Sequence, residues 1–501
     1  GEAVGLGLRP LNPGLARGPL HLAHTGQAPD RFDPKGIYLL PETVQTLPPV
    51  AGILTAGEGN PLSHVQLLAR NLGIPNVAVD LALLPRLAPH AGQRVLLAVS
   101  PGGSVTLKED EGEATAEAQP PETLIRPDLA KLDLGYVQLT PLKALRAGDS
   151  GRVAGPKAAK LGELYHHYPE AVADGLLIPF GVFRRLLDQP MAGEGKSVFE
   201  WMVQDYRALE AMPPGSEQRQ RATEAFRARL YAWILGADPG QAFREALRGA
   251  MDRTFGPDGG YGVFVRSDTN VEDLPGFTGA GLNLTVPNVV GFENVVQALN
   301  RVWASPFTAR AFAWRQAHME QPEHVYPAVL LLRSVPSEKS GVLVTQDIDS
   351  GDPHWLSVAV NEGVGGAVDG QAAETLRVSL DTGEVRLLAS ATAPVRRTLN
   401  PQGGVERLPA SGSETVLTEA EIARLIRLAR ELPSRFPPIT DAAGRPASAD
   451  VEFGFVGGKL RLFQIRPFLE SERARSSVLL NAMDRTRSAH AGETVPLDAV
   501  P

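Results

Sequence analysis

Hydrophobic residues are distributed along the chain in three regimes, each predicting a different kind of structure. From residue 1 to about 107, short apolar runs alternate with turn residues: Gly36-Ile-Tyr-Leu-Leu40, Ala51-Gly-Ile-Leu54, Asn76-Val-Ala-Val79, Arg94-Val-Leu-Leu-Ala-Val99 and Ser104-Val-Thr-Leu107. That pattern predicts a compact β/α unit. Inside it Val65, Leu68 and Leu72 recur at helical intervals, and Ser63 followed by Gln66 has capping-box spacing, so a helix should start at His64. From 108 to 130 the pattern stops. Lys108-Glu-Asp-Glu-Gly-Glu113 and Gln119-Pro-Pro-Glu122 have the composition of a solvated linker without a core of its own.

From 131 to 475 apolar periodicity returns as a larger α+β region. Its first half is helix-rich, with a long segment over 220–235. Its second half is strand-rich, with Ala328–Leu332, Ser340–Thr345, Leu356–Val360 and a run from Val451 to Phe463. A helix at about 419–432 interrupts the strands, with Thr418 and Glu421 in capping-box spacing. Residues 476–501 read as a polar tail, helical and then frayed. No internal repeat is present.

Composition narrows the class. The 501 residues are enough for two to four domains, and 43% hydrophobic with 21% charged residues is ordinary for a globular protein. A net charge of −8 and a pI near 5.8 argue against a nucleic-acid partner. Cysteine is absent, which rules out disulfides, thiolate nucleophiles and cysteine-based zinc sites. It also fits a reducing compartment, so a cytoplasmic location is expected. No apolar run of about 18 residues and no signal peptide are visible, so no membrane association is expected. The first residue is Gly1 rather than Met, as in a fragment of a longer protein or a trimmed chain.

Four groups of residues carry candidate chemistry. His64 lies behind the glycine-rich Gly52–Pro61 stretch, in the first turn of its helix, where free N–H groups and the helix dipole favour negative charge. A phosphoryl group formed on that imidazole would arise at an anion site; the same spacing also fits a surface histidine that merely decorates a helix. Gly155-Pro156-Lys157 opens another helix and presents Lys157 in its first turn, within reach of a polyphosphate that backbone amides help to cradle. It is not a P-loop, because the second glycine and the Lys-Ser/Thr ending are missing. Arg266 ends an apolar strand before an acid- and glycine-rich loop and offers a planar fork for phosphate oxygens, or a partner for a carboxylate within that loop.

The fourth group is Asp450-Val-Glu452-Phe-Gly-Phe-Val-Gly457-Gly458-Lys459-Leu-Arg-Leu-Phe-Gln464-Ile-Arg466, a predicted β-hairpin. Parity constrains it. A two-residue turn at Gly457-Gly458 puts Glu452 and Gln464 on opposite faces, whereas a three-residue turn puts them on one. If both bind a single Mg2+, which takes hard oxygen ligands, the turn must have three residues or the ladder must be bulged. The remaining candidates are bland: His166 and His167 are adjacent on a helix and cannot share a metal, and His21 and His24 have no acidic partners.

Taken together, these segments resemble the pyruvate phosphate dikinase and phosphoenolpyruvate synthase superfamily. Leu62-Ser63-His64-Val65 is similar to its phosphohistidine signature, in the spelling of the C-terminal half of glucan water dikinases. Gly155-Pro156-Lys157-Ala-Ala-Lys-Leu-Gly-Glu-Leu164, Arg266-Ser-Asp-Thr-Asn-Val-Glu272-Asp273-Leu and Asp450-Val-Glu452…Gln464-Ile-Arg466-Pro467 resemble the three blocks of its ATP-grasp domain. The Gly276-Phe-Thr-Gly279-Ala-Gly281 ending is again water-dikinase-like.

The resemblance implies a multidomain α/β and α+β protein: a swivelling phosphohistidine domain over 1–107, an acidic flexible linker over 108–130, an ATP-grasp nucleotide-binding domain over 131–475 and the tail over 476–501. It implies ATP and Mg2+, with His64 as catalytic carrier. Lys157, Arg266, Glu272, Asp273, Gln464 and Arg466 would bind nucleotide, and Glu452, Asp450 and Gln464 would lie on the metal side. The implied reaction passes a phosphoryl group from ATP through His64 to an acceptor, a glucan or an unknown small molecule, and releases AMP and phosphate.

Two departures stand out. Leu332 occupies the place of a glutamine that contacts adenine in the superfamily, and Gly366 that of a ribose-holding carboxylate; Glu362 is the nearest replacement for the latter. No acceptor domain is evident, so a missing domain or a partner chain would have to supply it. A phosphoenolpyruvate synthase-like enzyme without its barrel, and a non-catalytic nucleotide-sensing module, are the alternative expectations.

Overall fold

The computed structural model describes residues 7–22, 32–42, 47–110, 124–213, 215–272, 274, 284–413, 415–441 and 444–489. Its first unit is a seven-stranded mixed sheet with the spatial order Leu8–Asn12, Asn76–Val79, Gly52–Ala56, Ile37–Pro41, Gly14–Leu22, Arg94–Val99, Val105–Glu109. The three central pairings are parallel and the outer ones antiparallel. The apolar runs of the sequence are these strands. Leu8–Asn12 and Gly14–Leu22 are additional; the second alternates buried and half-buried residues, and Arg9, Arg17 and His21 interrupt its apolar pattern and that of its neighbour.

The helix His64–Leu72 rests on this sheet through Val65 and Leu68, which pack with Tyr38, Leu40 and Ile53. Burying that face holds the helix in place more firmly than propensity does at this length. Its other side faces the rest of the chain. Leu62 and Leu67 join a separate core with Val342, Val344, Ala359, Ala367 and Phe468.

Two further sheets are antiparallel throughout. One is five-stranded, in the order Thr285–Val290, Gly262–Thr269, Pro327–Arg333, Gly175–Ile178, Thr140–Pro141; the other is six-stranded, in the order Val385–Ala389, Glu374–Ser379, Trp355–Glu362, Lys339–Val344, Ala449–Val456, Lys459–Pro467. Helices Pro156–His167, Val198–Glu210, Glu217–Gly236, Gln241–Phe255 and Phe292–Ala304 enclose the first of these in one large core. The expected helix near 419 runs Glu419–Arg435, and both halves of its Thr418/Glu421 capping box form.

Contacts begin before the linker composition ends, and the tail is helical as expected but also docked. Past the acidic stretch, Ile125 is buried against Val271, Ala311, Trp314 and Met319, so the chain is already docked there. Beyond Ser471, helices Glu472–Ser476 and Val478–Ala489 form, and Leu480 is fully buried against Ala98 in the first sheet. Polar residues dominate that tail, and Leu480 with Ala474 supplies its buried apolar contact. Among the described residues no helix is long and apolar enough to cross a membrane.

Candidate functional site

His64 begins its helix as the spacing predicts, but only half of the capping box forms. Ser63 Oγ accepts from the Gln66 amide at 3.4 Å, while the Ser63 amide donates to Asn60 O at 3.1 Å and not to the Gln66 side chain, which is buried instead. Nor is the amide of His64 available to an anion here. It donates to Val368 O at 3.0 Å, and Asn60 Nδ2 donates to Ala367 O at 2.8 Å. The turn at Gly366–Gly370 is therefore a docking platform for the start of the histidine helix.

His64 as a residue is half-buried, and its imidazole lies near cations. Burial lowers its pKa well below 6.5, and Arg466, Lys157 and Arg266 lower it further. The histidine is thus neutral and nucleophilic at neutral pH.

Lys157 sits in the first turn of Pro156–His167. Its Nζ donates to Ser267 O at 2.8 Å and pairs with Glu272 Oε2 at 2.9 Å. The expected amide cradle for a polyphosphate is filled by the protein itself: Asp268 Oδ1 accepts from the Lys157 amide at 2.9 Å and Oδ2 from the Ala158 amide at 3.1 Å. Gly155 makes this possible, since a Cβ there would lie 2.3 Å from Asp268 Oδ1. Burial, with Glu272 nearby, raises the Asp268 carboxyl to about 7. Asp268 lies inside a block the sequence singled out, yet its partner helix begins over a hundred residues earlier, and no local pattern announces such a cap.

Arg266 does not pair within its own loop. Its Nη1 donates to Phe463 O at 2.8 Å and its Nη2 to Gln464 Oε1 at 2.5 Å, both on the hairpin Ala449–Val456/Lys459–Pro467. The hairpin satisfies the parity requirement by the bulged route. Val456 pairs with Lys459 around a two-residue turn with positive φ at Gly457 (55°) and Gly458 (72°), as type I′ geometry demands. The register then shifts between Phe453 and Glu452, which leaves Phe463 unpaired and sets Glu452 opposite Gln464. Asp450 stands opposite Arg466 and accepts from its Nε.

Glu452 has its carboxyl pKa raised by burial, against the pull of Arg266, Arg466 and Lys157, with Asp450 adding to the rise. A carboxylate that stays costly to ionise beside three cations is a place where a further cation would be welcome.

The structure thus gathers His64, Lys157, Arg266, Glu272, Asp450, Glu452, Gln464 and Arg466 into one neighbourhood. Asp273 and the 275–283 loop lie outside the described residues. Leu332 is sealed in the core, paired across the ladder with Phe264. Above Gly366 stands the Gln371 side chain, 2.3 Å from where a Cβ would be. Glu362 does not turn to that place: its carboxylate binds the Ser411 amide at 3.0 Å and the Ser411 hydroxyl.

Residues 152–486 match the family model described as "Pyruvate phosphate dikinase, AMP/ATP-binding domain". A rifampicin phosphotransferase of Streptomyces sp is 30% identical over 62% of this chain and 34% of its own length. A probable phosphoenolpyruvate synthase of Archaeoglobus fulgidus is 29% identical over 68% of this chain and 44% of its own. The phosphoenolpyruvate synthase of Pyrococcus furiosus is 28% identical over 50% and 31%. The chain spans less than half the length of these relatives.

Proposed function

The chain belongs to the pyruvate phosphate dikinase and phosphoenolpyruvate synthase family, and from that premise we propose that His64 is a phosphoryl carrier, loaded from ATP at the site it faces and unloaded at an acceptor elsewhere. Membership makes an ATP-dependent, dikinase-like phosphotransferase the general activity. The observation that carries the finer reading is the placement of a neutral His64 against Arg466, Lys157 and Arg266. Three permanent or near-permanent cations around a neutral nucleophile suit attack on a polyphosphate, where catalysis depends on charge neutralisation and in-line positioning.

In this reading a ring nitrogen of His64 attacks the β-phosphorus of ATP. An N–P bond forms, the bond to the α-phosphate oxygen breaks, and AMP leaves. The terminal phosphate passes to water as inorganic phosphate, and the group on His64 moves to the acceptor. Lys157, Arg266 and Arg466 bind the phosphates, and the hairpin orients them. The donor set suits Mg2+: Glu452 and Asp450 offer hard carboxylate oxygens, with Gln464 on the same face. Among the described residues no group of three or more His, Asp or Glu forms, so substrate phosphates would complete the coordination. When bound there, Mg2+ supplies charge neutralisation for the phosphates.

His64 must leave the docking turn to reach an acceptor, so the first sheet is taken as a swivelling domain and residues 131–475 as the ATP-grasp unit. The water-dikinase-like spelling around His64, and the order with the histidine unit first, favour water-dikinase chemistry on a glucan. A phosphoenolpyruvate synthase-like acceptor is the second reading, favoured by the named relatives. Incubation with β-32P-ATP and Mg2+ tests the carrier role: label should appear on His64, be acid-labile and vanish in His64→Ala. Absence of label in the wild-type chain defeats it and leaves a nucleotide-sensing module. Release of AMP stimulated by glucan or by pyruvate separates the two acceptors.

A further inference from the structure

We propose that residues 470–489 form a strap that fastens the His64-bearing unit onto the Lys157–Arg266–Arg466 site, and that the strap must open for His64 to leave. The inference rests on the reading of His64 as a travelling carrier, but the contacts that carry it are independent of the nucleotide site.

The strap begins three residues past the Arg466-Pro467 end of the hairpin and returns to the first sheet. Near its start the Ser471 amide donates to Arg70 O at 3.1 Å, and Glu470 pairs with Arg70 at 3.3 Å and Arg475 at 2.9 Å. Arg70 belongs to the helix that starts at His64. Its buried guanidinium also donates to Leu11 O at 3.0 Å in its own unit and to Ile348 O at 2.9 Å beside the six-stranded sheet. Gly73, which ends that helix at φ 68°, has Ser471 Oγ 2.7 Å from where a Cβ would be. One end of the helix is thus held by the docking turn and the other by the strap.

Further along, the helix Val478–Ala489 packs on the first sheet where Leu15 and Ala98 lie side by side, next to the turn after Arg94–Val99. Leu480 is fully buried with Ala98 and Ala474. The Asp484 carboxylate accepts from Ser100 Oγ through Oδ1 and from the Gly102 amide at 2.8 Å through Oδ2. Charge-assisted pairs of this kind fix geometry, whereas the apolar contact is small. The seam is imperfectly filled: a cavity of about 210 Å³ runs along it, lined among others by Asn12, Arg70, Ser100, Asp349, Glu470 and Arg475. A polar seam with one buried leucine and a cavity is the kind of contact that opens without unfolding either side.

Because the chain has no cysteine, a Gly102→Cys/Asp484→Cys pair would hold its only thiols. An added Cβ at Gly102 lies 2.7 Å from Asp484 Cγ, so the two Cβ atoms are at most about 4.2 Å apart, within disulfide range. Hydrogen exchange over His64–Leu72 and Gly366–Gly370 in the full chain reads the docking directly. Leu480→Ala/Asp484→Ala should raise exchange there about tenfold or more, and the oxidised cysteine pair should lower it relative to its own reduced form. Unchanged exchange in both variants overturns the strap. His64 labelling from β-32P-ATP, measured in the same samples, keeps the two ideas apart. Strap-dependent exchange without label defeats the carrier reading alone, and labelled His64 with strap-independent exchange defeats the strap alone.

Discussion

Glu452 faces Gln464 directly across a hairpin whose turn contains only Gly457 and Gly458. A regular ladder around such a turn would separate them onto opposite faces. The unpaired Phe463 corrects the parity, and its carbonyl, freed from the ladder, becomes an acceptor for Arg266. The same irregularity therefore aligns the carboxylate with the amide and ties the arginine to the amide and to the freed carbonyl.

Deleting Phe463 should restore a regular ladder in which Gln464, now directly after Leu462, still stands opposite Glu452 while the freed carbonyl is gone. Arg266 would keep Gln464 Oε1 and lose the Phe463 carbonyl, leaving one buried donor unmet at a cost of about 1–3 kcal/mol. His64 labelling from ATP should fall about tenfold as Arg266 loses its second anchor, with a drop in the urea midpoint. Phe463→Ala keeps the bulge and the carbonyl and should retain most of the labelling. Equal losses in both variants would mean that the phenyl ring matters and the bulge does not.

Asp268 gives a pH signature. Its carboxyl is raised from 3.8 to about 7, first by burial and then by Glu272, against Lys157 and the two amides it caps. The folded protein then keeps a proton that the unfolded chain loses above its ordinary range. Stability from this group is full below about pH 4 and is lost as pH rises through about 7. Asp268→Asn cannot titrate and should flatten that decline between pH 5 and 7.5 in urea titrations. Asp268→Ala, which removes the cap outright, should cost about 1–2 kcal/mol.

What the sequence made legible was whatever lies within one element. Val65, Leu68 and Leu72 announce the helix that carries His64, and Thr418 with Glu421 announces the start of another. Parity along Glu452 to Gln464 leaves the hairpin two geometries. Contacts made across long loops were invisible. Asp268 capping the Lys157 helix, Val368 receiving the His64 amide and Asp484 gripping Ser100 all join residues more than a hundred positions apart. Nothing in a local pattern distinguishes these side chains from exposed polar ones. The tail is helical as its sequence predicts; what stayed hidden is its docking, since Leu480 and Ala474 meet Ala98 far upstream in the chain.

His64 predicts a second pH effect of opposite sign. Burial, then Arg466, Lys157 and Arg266, hold its pKa well below 6.5. The unfolded chain takes up a proton as pH falls through 6.5, while the docked histidine resists. The stability associated with it is full above 6.5 and is lost as pH falls through the depressed value. His64→Gln should show a shallower acid-side loss than wild type. In single-turnover labelling the wild-type rate should show no protonation loss centred on 6.5; a half-loss there would place the imidazole away from the cations.

Glu272 decides how Lys157 is released to substrate. Its Oε2 lies 2.9 Å from the ammonium, and Ser267 O lies 2.8 Å away on the same nitrogen. An incoming polyphosphate must share that ammonium with a buried carboxylate and meets the repulsion of its charge. Glu272→Gln preserves the shape and removes the charge, so ATP should bind about fivefold more tightly, close to 1 kcal/mol by the relation between affinity and free energy. Lys157→Met should weaken binding in either background, and calorimetry on the nucleotide alone reads both. The resemblance of this block to the superfamily's implied a direct nucleotide contact by Glu272. If Glu272→Gln weakens binding instead, that direct role is the correct one, and the ion pair with Lys157 is only how the carboxylate waits.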